Sequence, residues 1–414
     1  MLEDADIDDV LAPAAVADPH TYFARLRAVD PVHYNERYRA WVLTRHRDVS
    51  AGFRGGNLSS SRIRPYVATL PAEERQAREP TFRVLLNWMV FQDPPDHTRL
   101  RRLVYRAFTA PALEGMAGRV DEIVQDLLDD LADRGDVDLI REFAYPLPAI
   151  VIAEMLGVPP EDRDLFKKWS DDITALVFGA SGIEDRHERA QAGLIELWDY
   201  LSDLVVKYRA APGENLISEL IAVEEEGERL TSEELIATCA LLLFGGHETT
   251  TNLIANGTLA LLQHPDQAER LRREPELMPT AIEEMLRYDG PAKMSFRVAA
   301  VDHEVDGKRI TAGERVFLVP AAANRDSAVF EDPDTLDVGR TPNRHVGFGF
   351  GPHYCLGASL ARLEGRIAIA AILDRIEGLR LPADAQLEWQ PTMLSRGLYA
   401  LPLAYDELRP RTTA

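Results

Sequence analysis

One short segment near the C-terminus constrains the fold more than any other, the stretch 347–357 that reads Gly-Phe-Gly-Phe-Gly-Pro-His-Tyr-Cys-Leu-Gly. Glycines at alternate positions followed by Pro352 fit neither a helix nor a strand, so the chain must loop tightly here. After Cys355, apolar residues return at helical spacing, at Leu360, Leu363, Ile367 and Ala371. The thiol is therefore predicted to lie just before a helix N-terminus, where free N–H groups stabilise a thiolate. A chance cysteine in an exposed loop is the alternative, and the dense glycine pattern disfavours it.

The number of cysteines limits the cofactors that the chain can hold. Among 414 residues there are two, Cys239 and Cys355. A disulfide framework, a cysteine-ligated iron–sulfur cluster and a CxxC site all need a different set. A metal must therefore be held by a single thiolate, by histidine or by carboxylate, and haem is one cofactor that a lone thiolate binds. Cys239 lies in an apolar stretch and is interpreted as a packed core thiol.

Hydrophobic periodicity predicts the fold class. Hydrophobic residues make up 46% of the chain and charged residues 28%, which is ordinary for a protein with a real core. Apolar residues recur at helical spacing from about Pro94 to Leu286, whereas strand-like alternation is confined to short pieces within 32–44 and 298–319. Because no repeat or linker divides the chain, we predict a single, mainly α domain over residues 1–414 with a small β-rich portion.

Charge and hydropathy exclude several classes of protein. The formal charge of −22 argues against nucleic-acid binding, which needs a basic face. No apolar run approaches the roughly 20 residues that a membrane span requires. The acidic N-terminus has no apolar segment of the kind found in secretory signals. We therefore expect a cytoplasmic protein without a membrane span, and we expect it to be a monomer.

A second informative segment is the long helical pattern that runs to Gln263. Thr231 and Glu234 have the spacing of a capping box and predict its start. Such a helix would be about 50 Å long. Its centre contains Gly245 and Gly246, and each glycine in a helix interior costs about 1 kcal/mol relative to alanine. The missing β-carbons would let a flat or bulky group approach the backbone.

Two polar residues follow this glycine pair. Thr249 lies four residues after Gly245, so its hydroxyl can bond the Gly245 carbonyl and open a local groove. Glu248 beside it can carry a proton, and an acid next to an alcohol suits proton delivery to a bound oxygen species. A kinked core helix with a glycine-mediated crossing is the alternative. A zinc-protease HExxH motif is excluded, because Thr251 occupies the position of its second histidine.

Taken together, these segments resemble the cytochrome P-450 superfamily in its soluble bacterial form. The loop matches the FxxGxxxCxG signature at Phe348, Gly351, Cys355 and Gly357. The long helix matches the [A/G]GxxT pattern at Gly245, Gly246 and Thr249, with glycine where the family more often has alanine. A third match is the ExxR pair, Glu284 and Arg287. The resemblance extends over nearly the whole chain.

The resemblance implies a role for each matching residue. Cys355 would bind the iron of haem b, and Glu248 with Thr249 would deliver protons. The residues at propionate-binding positions are His97, Arg101, Arg297 and His353. A buried structural ion pair would join Glu284 to Arg287 and share Arg340. Nine residues stand at substrate-lining positions: Leu85, Met89, Val90, Leu241, Phe244, Gly245, Lys293, Met393 and Leu394.

The resemblance also implies an activity. It is that of a monooxygenase, which activates dioxygen with two externally supplied electrons and hydroxylates or epoxidises a hydrophobic small molecule. A fatty acid, terpenoid, steroid or polyketide would each fit the apolar lining. A peroxygenase driven by hydrogen peroxide and a non-catalytic haem sensor are the alternatives.

We expect no fused reductase domain, because the match takes up the chain and leaves no flavin or iron–sulfur motif. The implied electron source is a separate ferredoxin or flavodoxin with its reductase. It would dock on a basic patch formed by Arg102, Arg106, Arg344, Arg362 and Arg366.

Overall fold

The structure is a computed structural model that describes residues 7–105, 108, 115–132, 134–180, 183–223 and 228–411. In these residues the α-helices are α1 (Pro13–Ala17), α2 (Pro19–Val29), α3 (His46–Arg54), α4 (Ile63–Thr69), α5 (Ala72–Ala77), α6 (Glu79–Asn87), α7 (Asp96–Tyr105), α8 (Ala117–Asp129), α9 (Pro146–Leu156), α10 (Arg163–Val177), α11 (Arg186–Ala210), α12 (Leu216–Ala222), α13 (Ser232–Gln263), α14 (Pro265–Arg273), α15 (Met278–Asp289), α16 (Pro320–Ala323) and α17 (Ala358–Arg375). The strands are β1 (Val32–Asn35), β2 (Ala40–Leu43), β3 (Leu58–Ser59), β4 (Asp136–Asp138), β5 (Ser295–Ala299), β6 (His303–Val305), β7 (Lys308–Ile310), β8 (Arg315–Leu318), β9 (Ile376–Glu377), β10 (Pro402–Ala404) and β11 (Glu407–Leu408).

The main sheet joins strands that are far apart in the sequence. Its strands lie in the order β1-β2-β8-β5-β3, with β2 and β8 parallel and the other neighbours antiparallel. Trp41 of β2 therefore pairs with Val316 of β8. Strands β6 and β7 form a separate hairpin whose turn residues, Asp306 and Gly307, both have positive φ, as a type I′ turn requires. The small sheet predicted from both ends of the chain is confirmed.

Helix α13 is the central helix of the core. The Glu234 N–H donates to the Thr231 hydroxyl at 3.2 Å and the Thr231 N–H donates to the Glu234 carboxylate at 2.9 Å, so the predicted capping box is complete. The helix contains 32 residues, which corresponds to about 48 Å of rise. Apolar side chains surround it, so it is buried between α9, α11, α15 and α17. Its predicted start and end are confirmed.

The residues before Pro94 contain more helix than their periodicity indicates. Helices α1 to α6 are only 5 to 11 residues long. Isolated helices of this length are marginal in water, so tertiary packing must stabilise them. In α2, for example, Phe23 and Leu26 pack against Val42 and Phe317 of the main sheet. That packing partner is distant in sequence, which is why local patterns do not reveal these helices.

A buried ion pair links α15 to the irregular segment that follows α16. The Arg287 guanidinium donates to both oxygens of Glu284, at 2.7 and 2.8 Å, and both side chains are fully buried. Arg340 donates to the same carboxylate at 3.1 Å, as do the Asn343 side chain at 3.1 Å and the Asp337 N–H at 2.9 Å. The structure thus places Arg340 with the pair, as the sequence predicts. The carboxylate is saturated with donors, which fits a structural role.

The architecture is mainly α with a small β-rich portion, as predicted. None of the described helices combines the length and apolar character that a membrane crossing needs. The single domain over residues 1–414 stays a prediction.

Candidate active site

A cavity of about 400 Å³ lies between α13 and residues 347–357, which we call the cysteine loop. We call this space the inner cavity. Most of the residues that the sequence singles out line it: Met89, Val90, His97, Arg101, Leu241, Phe244, Gly245, Thr249, Arg297, His353, Cys355 and Leu394. The fold therefore brings the thiol and the predicted proton-delivery helix to one space.

The cysteine loop holds the thiol at the start of α17. The Cys355 N–H donates to the Phe348 carbonyl at 2.9 Å, which closes the loop. Gly351 has φ of 73°, and a β-carbon there would lie 2.7 Å from the Phe53 carbonyl oxygen, so only glycine fits. Burial raises the pKa of Cys355, whereas the Gly357 N–H and the nearby Arg101 act to lower it. The predicted position before a helix N-terminus is confirmed.

The opposite wall is the centre of α13. The Thr249 hydroxyl donates to the Gly245 carbonyl at 3.0 Å, as the four-residue spacing predicts. A β-carbon on Gly245 would meet no atom within 4 Å, so this wall is open. Glu248 is buried behind it, and burial raises the pKa of its carboxyl to about 7, although an amide hydrogen bond from Asn252 at 3.4 Å opposes this shift. An acid that is half protonated near neutral pH therefore adjoins an alcohol that lines the cavity.

Cationic and donor side chains cluster at one edge of the inner cavity. The rings of His97 and His353 lie 3.9 Å apart between their centroids, with Arg101 and Arg297 nearby. Burial and the charge of Arg101 together lower the pKa of His97 to about 4. The Nδ1 atom of His97 is buried without a hydrogen-bond partner. Neither arginine forms an ion pair with any carboxylate in the described part of the chain.

These observations fit haem b. We call His97, Arg101, Arg297 and His353 the edge cluster. The charge of Asp93 acts on His97 and Arg297, but its carboxylate is bonded to Ser59 and Ser60 and forms no ion pair with the cluster in the described residues, so a cofactor with two propionates would supply the missing partners. The Cys355 thiol on one wall would bind the iron, and the missing β-carbon of Gly245 leaves space on the other wall. Among the described residues, no group of three or more histidine, cysteine, aspartate or glutamate side chains could hold a metal ion.

Five aromatic rings form a further part of the inner wall. Trp88 stacks on Phe244 with ring centroids 5.4 Å apart, and Phe178 contacts Phe244 at 5.1 Å. Phe91 and Phe296 also line the cavity. Of these five rings the sequence prediction contained only Phe244. The signal for two others was local, because Trp88 and Phe91 flank the predicted Met89 and Val90.

Three of the predicted lining residues lie elsewhere. Lys293 is buried and does not line the inner cavity, whereas its neighbours Ala292 and Met294 do. Side chains of an extended segment alternate in direction, so the side chain of Lys293 points away from this cavity. The Lys293 ammonium donates to the Thr392 carbonyl instead. Met393 likewise packs in an apolar cluster with Met294. Leu85 lines a different cavity.

That different cavity, which we call the outer pocket, has a volume of about 600 Å³. It lies between α4, α6 and the start of α11. It shares part of its wall with the inner cavity, so the two spaces adjoin.

Two arginines of the predicted basic patch form ion pairs with carboxylates. Arg362 donates to Glu283 at 2.6 and 2.8 Å, and Arg102 pairs with Glu228 at 3.0 Å. Arg344 and Arg366 are exposed. Arg106 lies outside the described residues. Each of these two predicted positive charges is thus neutralised by its own carboxylate. Spacing along the sequence does not reveal those partners.

Comparison with known proteins identifies relatives over almost the whole length. A family model described as Cytochrome P450 matches residues 75–398. Cytochrome P450 107B1 of Saccharopolyspora erythraea is 42% identical over 405 residues, which cover 96% of this chain and 98% of that protein. Vitamin D(3) 25-hydroxylase of Pseudonocardia autotrophica is 43% identical over 391 residues, 93% of each chain.

A solved structure of P450BioI with hexadec-9Z-enoic acid ligated acyl carrier protein superposes with a TM-score of 0.88. It is 36% identical in sequence and covers 95% of this chain and 99% of that chain. Family model, relatives and solved structure all agree with the fold class predicted from the motifs.

Proposed function

Because this chain belongs to the cytochrome P450 family and is a monooxygenase with haem b as its cofactor, we propose that it hydroxylates or epoxidises a hydrophobic small molecule with two electrons from a separate carrier. The observation that carries the proposal is the inner cavity, which has a thiol on one wall, an alcohol on the other with the acid Glu248 buried behind it, and aromatic rings between these walls. Haem bound through Cys355 would supply the activation of dioxygen.

The side chains around the inner cavity have separate roles in this function. Cys355 would bind the iron, and the edge cluster, with Arg101 and Arg297 as its permanent cations, would hold the propionates by charge-assisted hydrogen bonds. Glu248 holds a proton on its carboxyl near neutral pH. Thr249 Oγ1 orients the water that carries this proton into the cavity. The aromatic walls orient the substrate and exclude bulk water.

Replacing Thr249 by alanine tests this function. We expect the variant to accept electrons at the normal rate but to release hydrogen peroxide, because the proton carrier is no longer oriented. Loss of a hydrogen bond worth about 1.5 kcal/mol corresponds to a roughly ten-fold fall in product formed per electron. Product and peroxide are measured against reductant consumed. Unchanged coupling would contradict the assignment and favour a haem sensor, and faster turnover with added peroxide than with reductant would favour a peroxygenase.

The pKa of Glu248 predicts a pH dependence. Its carboxyl is protonated below about pH 7 and loses the proton above it, so product formed per electron should fall as the pH rises through 7. In Glu248→Gln this dependence should vanish, and turnover should fall by on the order of 10²-fold. The measurement is product formed per electron consumed, from roughly one pH unit below to roughly one and a half units above the pKa of Glu248. A variant with the pH profile of the wild type would refute the role.

The electron carrier is proposed to dock near the cysteine loop. Arg366 lies one helical turn after Arg362, whose Nη1 donates to Tyr354 Oη at 3.1 Å, so Arg366 is on the same side of α17 as the loop. Reversing Arg344 and Arg366 to glutamate should slow reduction by an acidic ferredoxin about ten-fold or more at low salt. The effect should shrink at high salt, where exposed charges are screened. A reduction rate that the reversal leaves unchanged would exclude this face.

The apolar walls of the inner cavity indicate a hydrophobic substrate. One relative is named a vitamin D(3) 25-hydroxylase, and P450BioI was solved with hexadec-9Z-enoic acid ligated acyl carrier protein, so we infer that a hydrophobic substrate of either kind fits these apolar walls. A screen by haem absorbance, in which ligands displace iron-bound water, would identify compounds that enter the inner cavity of this chain.

A further inference from the structure

The inner cavity and the outer pocket meet along a short common wall, which we call the junction. Four residues line both spaces: Arg62, Phe91, Val177 and Phe296. Three of them are apolar, and Arg62 is the charged one. A ligand that extends from the outer pocket toward Thr249 must pass these side chains.

Arg62 is held firmly at the junction. Its Nη1 donates to the Phe296 carbonyl at 3.2 Å. The guanidinium lies 4.4 Å from the centroid of the Phe91 ring and 5.6 Å from that of Phe296. These contacts orient the planar guanidinium group of Arg62. They do not neutralise its charge, because a backbone carbonyl and two aromatic faces are all uncharged.

Arg62 also lacks a counter-ion. No carboxylate in the described ranges forms an ion pair with it, and burial together with the charge of Arg297 lowers its pKa to about 9. At neutral pH the group is therefore still charged. A charge that is partly withdrawn from water and has no ion-pair partner is costly unless another molecule supplies the partner.

The position of Arg62 distinguishes it from the proposed haem ligands. Arg101 and Arg297 line the inner cavity alone, whereas Arg62 lines the outer pocket as well. The outer pocket is the part of this space farther from the cysteine loop, since it contains no residue of that loop. Arg62 thus stands on the route between the two spaces and not only at the edge cluster.

We propose that Arg62 binds the carboxylate of an elongated, otherwise apolar substrate whose hydrocarbon part extends into the inner cavity. The proposal rests on the proposed function and names the substrate class of the same site. A guanidinium fork matches a carboxylate bidentately, and poor hydration between two aromatic rings strengthens such a bond. The apolar walls bind the hydrocarbon part through burial.

Ligands with one chain and different head groups test the proposal. Dodecanoic acid, dodecanol and dodecyltrimethylammonium are titrated into the haem-loaded protein, followed by haem absorbance and independently by calorimetry. We expect the acid to bind about ten-fold more tightly than the alcohol, the scale of one charge-assisted hydrogen bond, and the ammonium compound not to bind. Arg62→Met should abolish the preference for the acid, and Arg62→Lys should keep part of it.

The control variant is Arg64→Met. Arg64 lies on α4 two residues away, is exposed and lines neither cavity, so its loss should leave the preference unchanged. A preference that survives in Arg62→Met, or none in the wild type, overturns the proposal. A further outcome also overturns the proposal. If Arg62→Met loses haem and its haem-loaded fraction still prefers the acid, Arg62 binds a haem propionate and not the substrate.

The two proposals can fail separately. Product formation from dodecanol with a surrogate reductase reports the monooxygenase activity without requiring a carboxylate. If dodecanol is oxidised and the acid shows no preference, the carboxylate site alone is wrong. If the acid is preferred but neither ligand is oxidised, the proposed function is wrong while the binding site stands.

Discussion

Replacing Cys355 by histidine should abolish the thiolate-type carbon monoxide spectrum of the reduced protein and reduce product formation to background. The physical reason is the electron-donating character of the thiolate, which favours O–O cleavage and which an imidazole does not reproduce. Histidine can still bind haem iron, so the variant should retain bound haem. The measurement is the carbon monoxide difference spectrum together with haem content and product yield.

The chain provides its own control for this experiment. Cys239 is fully buried in α13, and burial raises the pKa of its thiol to about 12, so it cannot supply a thiolate at neutral pH. Cys239→Ala should keep the thiolate-type spectrum and cost at most about 1–2 kcal/mol of unfolding free energy. A thiolate spectrum that persists in Cys355→His would show that the ligand is misassigned.

Replacing Glu284 by alanine should cause the largest loss of stability. Arg287 would remain fully buried without its carboxylate, and removal of one partner of a buried pair costs about 3–5 kcal/mol. Arg340 would lose a counter-ion too. This cost is a large fraction of the roughly 5–15 kcal/mol that stabilises a typical domain. We therefore expect little folded, haem-loaded protein, measured by denaturant unfolding and by haem bound per chain.

A matched variant separates this effect from the simple loss of a negative charge. Glu276 precedes α15 and is exposed, so Glu276→Ala should change the unfolding free energy by no more than about 0.5 kcal/mol. If Glu284→Ala proves equally mild, the carboxylate is not the structural centre of this region.

Several features of the site could be predicted because they are local in sequence. The capping box of Thr231 and Glu234 and the bond from Thr249 to Gly245 each span three or four residues, a separation that helix geometry fixes. The glycine-rich cysteine loop is local in the same sense. Helix and loop stereochemistry therefore determine these features before any packing is known.

Other features could not be predicted, because they depend on which distant segments meet. The neutralisation of Arg362 by Glu283 joins α17 to α15. The direction of Lys293 follows from the pairing of its extended segment with residue 394. Neither contact has a sequence signal, because each joins residues at least 79 positions apart in the chain.

The sequence by itself therefore pointed to haem-thiolate chemistry, since Cys355 in its glycine-rich loop and the acid–alcohol pair of Glu248 and Thr249 carry the resemblance to the family. Only the tertiary structure decided the surroundings of that chemistry, among them the aromatic walls, the outer pocket and the place of Arg62 at the junction. The physical reason is the separation along the chain over which each kind of interaction acts. Backbone geometry acts over a few residues, whereas a cavity exists only once helices and sheet have packed around it.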